Sequence, residues 1–85
     1  MEYYLKPSAL KNLRRLPHGA QQKIIAKLDF YVRAPDPLAF AEKLTDHNSG
    51  EWRFRVGEYR LIFDVRNNNI IVLKIGHRKE IYKYS

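Results

Sequence analysis

Cysteine is absent from this sequence of 85 residues, so disulfide bonds and thiolate chemistry are excluded. No run of apolar residues is long enough to cross a lipid bilayer. The N-terminal residues lack the order of a signal peptide, in which a basic segment precedes an apolar one and a small-residue cleavage site. These three absences favour a cytoplasmic protein.

Acidic residues are also scarce, since nine of them stand against sixteen lysines and arginines and the formal net charge is +7. So large an excess favours a polyanionic partner, most often nucleic acid, although a soluble domain can be basic without binding one. The chain is 45% hydrophobic, which is typical of a folded domain. Its length suffices for one modest core, and we predict a single domain over residues 1–85.

Recognisable catalytic and metal-binding motifs are missing as well. No glycine-rich phosphate loop precedes a helix, and no serine stands in the turn motif of a hydrolase nucleophile. His18, His47 and His77 are far apart in the sequence and lack cysteine or carboxylate ligands at metal-binding spacing. We therefore predict neither a metal ion nor another cofactor.

The first half of the sequence predicts a strand and two helices. Tyr3-Tyr4-Leu5 is typical of a short strand that Pro7 ends, and Ser8 stands where an N-cap belongs. Leucines at helical spacing predict a first helix over residues 9–16, and a second runs from about Ala20 to Ala34. The short connection between them indicates an antiparallel helical hairpin.

The second half begins with one predicted helical turn, from Leu38 to Leu44. Residues 52–65 are rich in aromatic and β-branched side chains and predict a β-hairpin. Its central pair, Gly57-Glu58, suits a type II′ turn because glycine accepts the positive φ of the first position. The three asparagines at 67–69 predict a second turn, since asparagine tolerates left-handed backbone angles.

The last strands complete a sheet. Residues 70–75 are apolar on both faces, as in a central strand covered on both sides, and we expect Gly76 to interrupt that strand before a last extended piece at 80–84. The predicted fold is α+β, with the order β-α-α-β-β-β and a mainly antiparallel sheet of about four strands. The two-helix hairpin packs on one face of the sheet and leaves the other face partly open.

Alternation along the hairpin separates an apolar side from a basic side. The aromatic and aliphatic residues point one way, and Arg53, Arg55 and Arg60 emerge together on the other side. Three arginines on two paired strands repel one another, and an anionic ligand would relieve that repulsion. Lys74 and Lys79, on and after the next strand, add positive charge. We predict that Arg53, Arg55, Lys74 and Lys79 bind RNA.

Strand pairing brings a second group of residues, His77, Arg78 and Tyr82, near Arg60. Such a set suits metal-free cleavage of RNA, in which the 2′-hydroxyl attacks the adjacent phosphate with the help of a base, an acid and cations. Arginine can hold phosphate at two points, histidine exchanges protons near neutral pH, and tyrosine can stack on a nucleobase. We predict that Arg60, His77, Arg78 and Tyr82 are catalytic.

Each of these residues also has a purely structural alternative. The arginines of the hairpin can be solvated surface residues, and His77 can be a loop residue bonded to the backbone. Arg78 can pair with Glu80, an exposed contact worth at most about 1 kcal/mol. Tyr82 can be plain sheet packing.

Two stretches of the sequence, taken together, resemble a known protein family. They are Arg55-Val56-Gly57-Glu58-Tyr59-Arg60-Leu61, and Gly76-His77-Arg78 followed by Ile81-Tyr82. With them, nearly the whole chain resembles the RelE/ParE superfamily of toxins from toxin–antitoxin systems, and its RelE branch more closely. RelE-like toxins are small α/β proteins that cut messenger RNA, commonly in the ribosomal A site, and an antitoxin holds them inactive.

The resemblance therefore implies an endoribonuclease that inhibits translation, with mRNA and the ribosome as partners. It also implies an antitoxin, which we expect to be acidic and partly disordered from the resemblance together with the basic charge of this chain. Arg60 matches an arginine that stabilises the scissile phosphate, and Arg78 matches the residue that donates a proton to the leaving group. Tyr82 matches a tyrosine that orients or stacks on the RNA.

One departure from the family pattern concerns the general base. The two arginines of the first hairpin strand stand where some members carry lysines that polarise the phosphate or assist as base. Arginine is a poor general base, so the base in this chain is His77, Tyr82 or neither.

Two other functions remain alternatives. A ParE-like inhibitor of DNA gyrase shares the fold but does not need Arg60, Arg78 and Tyr82 together, so this set favours the nuclease. A non-catalytic relative would only bind RNA or an antitoxin, and it would show salt-sensitive RNA binding without cut ends.

Overall fold

The computed structural model describes residues 1–45 and 50–81 of the chain. Its elements, in chain order, are β1 Tyr3–Leu5, α1 Pro7–Arg14, α2 His18–Arg33, a 3-10 turn at Pro37–Phe40, β2 Ala41–Lys43, β3 Trp52–Val56, β4 Tyr59–Arg66 and β5 Asn69–His77. The strands form one sheet in the order β1-β5-β4-β3-β2. Strand β1 runs parallel to β5 and every other neighbour is antiparallel. The predicted α+β fold is confirmed, with five strands where about four were expected.

The extra strand is β2, in the segment where the sequence predicted a helical turn. The 3-10 turn ends at Phe40, and Ala41–Lys43 then pairs antiparallel with β3, Glu42 lying opposite Arg53. Ala, Glu and Lys are all uncommon in strands, so this segment carries no strand signal of its own. Pairing with β3 decides its conformation, so the prediction of a helical turn was wrong beyond Phe40.

Helix α1 begins two residues earlier than predicted, and Ser8 is not its N-cap. Pro7 occupies the first turn, where its missing N–H costs nothing, and Lys6 is the capping residue without a side-chain cap. The hydroxyl of Ser8 instead donates a 2.8 Å hydrogen bond to the carbonyl of Leu73. The side-chain amide oxygen of Asn12 accepts one of 3.1 Å from the N–H of Ile75. Because β1 is short, side chains of α1 complete the bonding of the β5 edge.

Both predicted turns are present. Gly57 has a φ of +58° while Glu58 keeps a negative φ, as a type II′ turn requires. Asn67 and Asn68 have φ values of 52° and 62°, which indicate a type I′ turn between β4 and β5. The register of the hairpin follows from its two-residue loop.

Strand β5 continues through Gly76 to His77, so the expected interruption at Gly76 was wrong. Gly76 pairs with Arg60, and His77 pairs with Tyr59. Pairing with β4 keeps β5 extended at Gly76, where the lack of a side chain had suggested a break. Glu80 and Ile81 lie in a turn rather than the expected last extended piece, and residues 82–84 of that piece lie outside the described residues.

The core lies between the helical hairpin and one face of the sheet. Three of its rings stack in a row, with centroids 4.5 Å apart for Tyr31 and Phe54 and 4.4 Å apart for Phe54 and Phe63. Its buried members are Ala9, Leu13, Ile24, Leu28, Tyr31, Phe54, Val56, Leu61, Phe63, Ile70, Val72 and Ile75. Neither helix of the described part is long and apolar enough to cross a membrane.

A loop covers one end of the second face of the sheet. Ile62 points to this face yet is 0% exposed, because Gly50 lies on top of it. A methyl group at Gly50 would come within 2.6 Å of the Ile62 side chain. The N–H of Glu51 donates a 2.9 Å hydrogen bond to Asp64 and fixes the loop there. The other end of this face, beside the β3–β4 turn, carries the arginines.

Candidate functional site

Arg53, Arg55 and Arg60 share the sheet face that the helices leave uncovered, here called the arginine face. Arg53 lies opposite Ile62, and Arg55 lies directly opposite Arg60 on the neighbouring strand. Like charges that face each other across two strands are destabilising. The face therefore needs either carboxylates or a bound anion to compensate its charge.

Glu42 of β2 supplies one such carboxylate. Its Oε2 lies 2.7 Å from Nη2 of Arg53, and its Oε1 lies 2.6 Å from Nε of Arg55. The hydrogen bond from Arg53 lowers the pKa of Glu42, partial desolvation opposes this, and the charges of Arg53, Arg55 and Arg60 lower it further. Sequence reasoning missed Glu42, because its place beside the arginines depends on the pairing of β2 with β3.

Arg60 is held by the hairpin turn and not by a carboxylate. Its Nη1 donates hydrogen bonds of 2.9 Å to the carbonyls of Gly57 and Tyr59. Within the described ranges, no acidic side chain lies within 4.0 Å of its guanidinium nitrogens, whereas Arg53, Arg55 and Arg78 each form a salt bridge. Arg60 thus presents a positioned cation that no carboxylate of the described residues contacts directly.

Arg78 reaches the same turn from the end of β5. Its backbone N–H donates a 2.7 Å hydrogen bond to the carbonyl of Glu58, and its Nε lies 2.5 Å from Oε2 of that residue. Its ion-pair partner is therefore Glu58 and not Glu80. Both side chains are more than half exposed, so the pair adds little stability. Since Arg60 bonds the carbonyl of Gly57, the turn brings both arginines together.

His77 lies on the opposite side of the sheet from Arg60. It pairs with Tyr59, and the two rings meet edge to face at 5.9 Å. Tyr59 packs against the helix-side core, so the imidazole is on that side too. Its Nδ1 accepts a 3.1 Å hydrogen bond from the N–H of Lys79.

The remaining predicted residues are dispersed. Lys74 pairs with Ile62 and shares the arginine face, while Lys79 is exposed in the turn after β5. Tyr82 lies outside the described residues. The structure therefore brings Arg53, Arg55, Arg60 and Arg78 to one end of the arginine face, and it places His77 behind that face.

The chemistry open to this arrangement is the binding of an anion with two or more oxygens. Guanidinium groups hold phosphate or carboxylate through paired N–H donors. Arg60 and Arg78 are both bonded to the β3–β4 turn. Within residues 1–45 and 50–81, no three histidine, aspartate or glutamate side chains are grouped so that they could hold a metal ion.

Comparison with known proteins places the chain among toxins. A family model described as "ParE toxin of type II toxin-antitoxin system, parDE" matches residues 3–82. No curated protein matches the chain.

Solved structures share the fold at low sequence identity. A chain of the toxin–antitoxin complex RelBE2 from Mycobacterium tuberculosis is 22% identical with a TM-score of 0.76, over 91% of this chain and 96% of that one. A chain of the RelB–RelE complex from Methanococcus jannaschii is 23% identical with a TM-score of 0.73, over 94% and 95%. A chain of the RelE–RelB complex from Pyrococcus horikoshii is 26% identical with a TM-score of 0.70, over 91% and 93%.

Proposed function

This chain belongs to the family of ParE toxins of type II toxin–antitoxin systems, and we propose that it is a toxin that cuts messenger RNA. The observation that carries this proposal is Arg60, a cation fixed by the turn carbonyls with no carboxylate partner among the described residues. Arg78 is bonded to the same turn. A scissile phosphate between these two guanidinium groups would supply the missing negative charge.

The reaction proposed is attack of a ribose 2′-hydroxyl on the adjacent phosphorus. The 2′-oxygen forms a bond to phosphorus and loses its proton, while the bond to the 5′-oxygen breaks and that oxygen gains a proton. The phosphorane between these steps carries additional negative charge, which positioned cations stabilise more than they stabilise the substrate. Arg60 is proposed to bind its equatorial oxygens, and Arg78 the leaving oxygen.

The other basic residues are proposed to bind the RNA strand on either side of the cut. Arg53, Arg55 and Lys74 lie along the arginine face, where successive phosphates can follow the strands. Arg53 and Arg55 must exchange Glu42 for phosphate, since that carboxylate now occupies contacts of both. Lys79 extends the basic surface beyond β5.

Messenger RNA on the ribosome is the proposed substrate, and the cytoplasm the proposed site of action. The solved structures that share the fold are complexes of toxin and antitoxin. We accordingly propose that an antitoxin, acidic and partly disordered, binds this chain and keeps it inactive. The net charge of +7 favours such a partner.

The test is cleavage of mRNA on programmed ribosomes by purified protein, with the new 5′ ends mapped. Arg60→Ala should reduce cleavage by about 100-fold or more, the usual cost of one transition-state donor, without loss of folding. Arg66→Ala is the matched control: Arg66 is on the same strand but bonds Glu51 and Asp64 at its far end. Cleavage at the wild-type rate by folded Arg60→Ala would overturn the proposal.

Inhibition of DNA gyrase is the second candidate, because the family model is that of ParE toxins. DNA breakage and mRNA cleavage, measured side by side in cells after induction, separate the two functions. The nuclease proposal expects cut mRNA and intact DNA. Broken DNA with intact mRNA would establish the gyrase alternative instead.

A further inference from the structure

The turn that follows β5 is built around His77. The carbonyl of His77 accepts hydrogen bonds of 2.9 Å from the N–H groups of both Glu80 and Ile81. Its Nδ1 accepts the N–H of Lys79 at 3.1 Å. Three successive backbone donors therefore end on one residue, and they are the three that follow Arg78.

Arg78 is the first residue of this turn, and the backbone of the turn determines its position. Its own N–H does not join the others but bonds the carbonyl of Glu58, across the sheet. The turn is closed from its far end by Ile81, which is 3% exposed and packs against Gly76. A methyl group at Gly76 would come within 3.0 Å of Ile81. The path of the backbone at 77–81 thus decides where the Arg78 guanidinium lies.

The imidazole ring is itself held in one orientation. Tyr59 contacts it edge to face on the helix side of the sheet. To accept from Lys79, the ring must be neutral at Nδ1, with its proton on Nε2. On this side of the sheet, the ring faces away from Arg60 and Arg78. Its position therefore disfavours proton transfer to or from an RNA bound at Arg60.

We infer that His77 is a positioning residue, whose Nδ1 fixes the turn that places Arg78 beside Arg60. The consequence for catalysis rests on the proposed nuclease function, whereas the hydrogen bond to Lys79 does not. The side chain performs the role that aspartate or asparagine performs when its oxygen accepts the N–H two residues further on. Proton exchange by the ring is not part of this role.

Three substitutions of His77 separate the two roles. Asparagine places its Oδ1 where Nδ1 now lies and accepts the same hydrogen bond, but it exchanges no proton near neutral pH. Glutamine places its amide one bond further out, and alanine removes the acceptor. His77→Asn should therefore keep the turn, whereas His77→Gln and His77→Ala should lose it.

The first readout is exchange of the Lys79 amide hydrogen, followed by NMR. Wild type and His77→Asn should exchange alike, and His77→Ala and His77→Gln about tenfold faster, the effect of losing one hydrogen bond. The second readout is kcat for RNA cleavage. It should stay within threefold in His77→Asn and fall by about 10- to 100-fold in the other two, since a small misplacement of a catalytic group costs that much.

The outcomes separate this inference from the function on which it builds. Equal loss of kcat in all three variants would show proton transfer and overturn the positioning role. Unchanged exchange and kcat in His77→Ala would overturn it as well. If wild-type protein cuts no RNA, the nuclease proposal fails, while the exchange rates of Lys79 still decide whether His77 holds the turn.

Discussion

At the scale of single residues, two glutamates hold the arginines of the candidate site. Glu42 contacts Arg53 and Arg55, and Glu58 contacts Arg78. A carboxylate offers a guanidinium the same pair of oxygens as a phosphate, so each glutamate occupies contacts that RNA would use. Both carboxylates are exposed, which allows them to be displaced.

Glu42→Gln should therefore bind RNA more tightly, by about two- to fivefold, the range of exposed ion pairs. Glu42 is a carboxylate at neutral pH, and its lowered pKa keeps it ionised under more acidic conditions as well, so it competes with phosphate as an anion. Fluorescence anisotropy with an RNA whose 2′-hydroxyls are methylated measures binding without cleavage.

Glu2→Gln is the control for this comparison. It removes the same charge next to β1, at the sheet edge opposite β2. If Glu42→Gln increases RNA affinity more than Glu2→Gln does, the result supports competition between Glu42 and RNA phosphate for the arginines. Weaker binding than wild type would instead show that Glu42 orients the arginines for the RNA.

At the scale of elements, the β3–β4 turn organises the site. The carbonyls of Gly57 and Tyr59 accept from Arg60, and the carbonyl of Glu58 accepts from Arg78. The three carbonyls belong to successive residues, the two of the turn and the first of β4. The backbone of the turn thus brings two side chains from different strands to one place.

Gly57→Ala should destabilise the fold by about 1–2 kcal/mol, because a side chain strains the left-handed conformation at φ +58°. Gly19→Ala is the control, since Gly19 lies in α2 with no atom within 4 Å of an added methyl group. That change should leave the free energy of unfolding unchanged or raise it by up to about 1 kcal/mol. Urea unfolding measures both, and equal effects would show that the turn imposes no strain.

Elements whose cause is local could be predicted from the sequence. Gly57 and the asparagines at 67 and 68 specify their turns through their own backbone preferences, and apolar residues at helical spacing indicate the helices. The α+β fold and the shared face of Arg53, Arg55 and Arg60 follow from strand alternation.

Features that depend on distant partners could not be predicted in this way. Strand β2 forms because it pairs with β3. The hydroxyl of Ser8 does not cap the helix but donates a hydrogen bond to the carbonyl of Leu73. The contacts of Glu42 with Arg53 and of Glu58 with Arg78 likewise depend on residues that are distant in the sequence. The position of His77 behind the arginine face depends on β5 continuing past Gly76, which glycine alone did not suggest.

At the scale of the whole molecule, the two faces of the sheet differ in their surroundings. One face is filled by the core beneath the two helices. The other is covered by Gly50 and Glu51 at one end and carries the arginines at the other, where Arg55 is exposed and Arg53 and Arg60 are partly buried. A net charge of +7 adds long-range attraction for polyanions to these specific contacts, so RNA binding should weaken steeply with added salt.

The central claim is that Arg60 and Arg78 act together on one phosphate, and a double-mutant cycle tests it most directly. Single-turnover cleavage is measured for Arg60→Ala, Arg78→Ala and the double variant, with Arg66→Ala as the control for charge. Groups that serve one transition state are not additive, so the double variant should cleave little more slowly than the slower single variant. Losses that multiply, or full activity in folded Arg60→Ala, would contradict the claim.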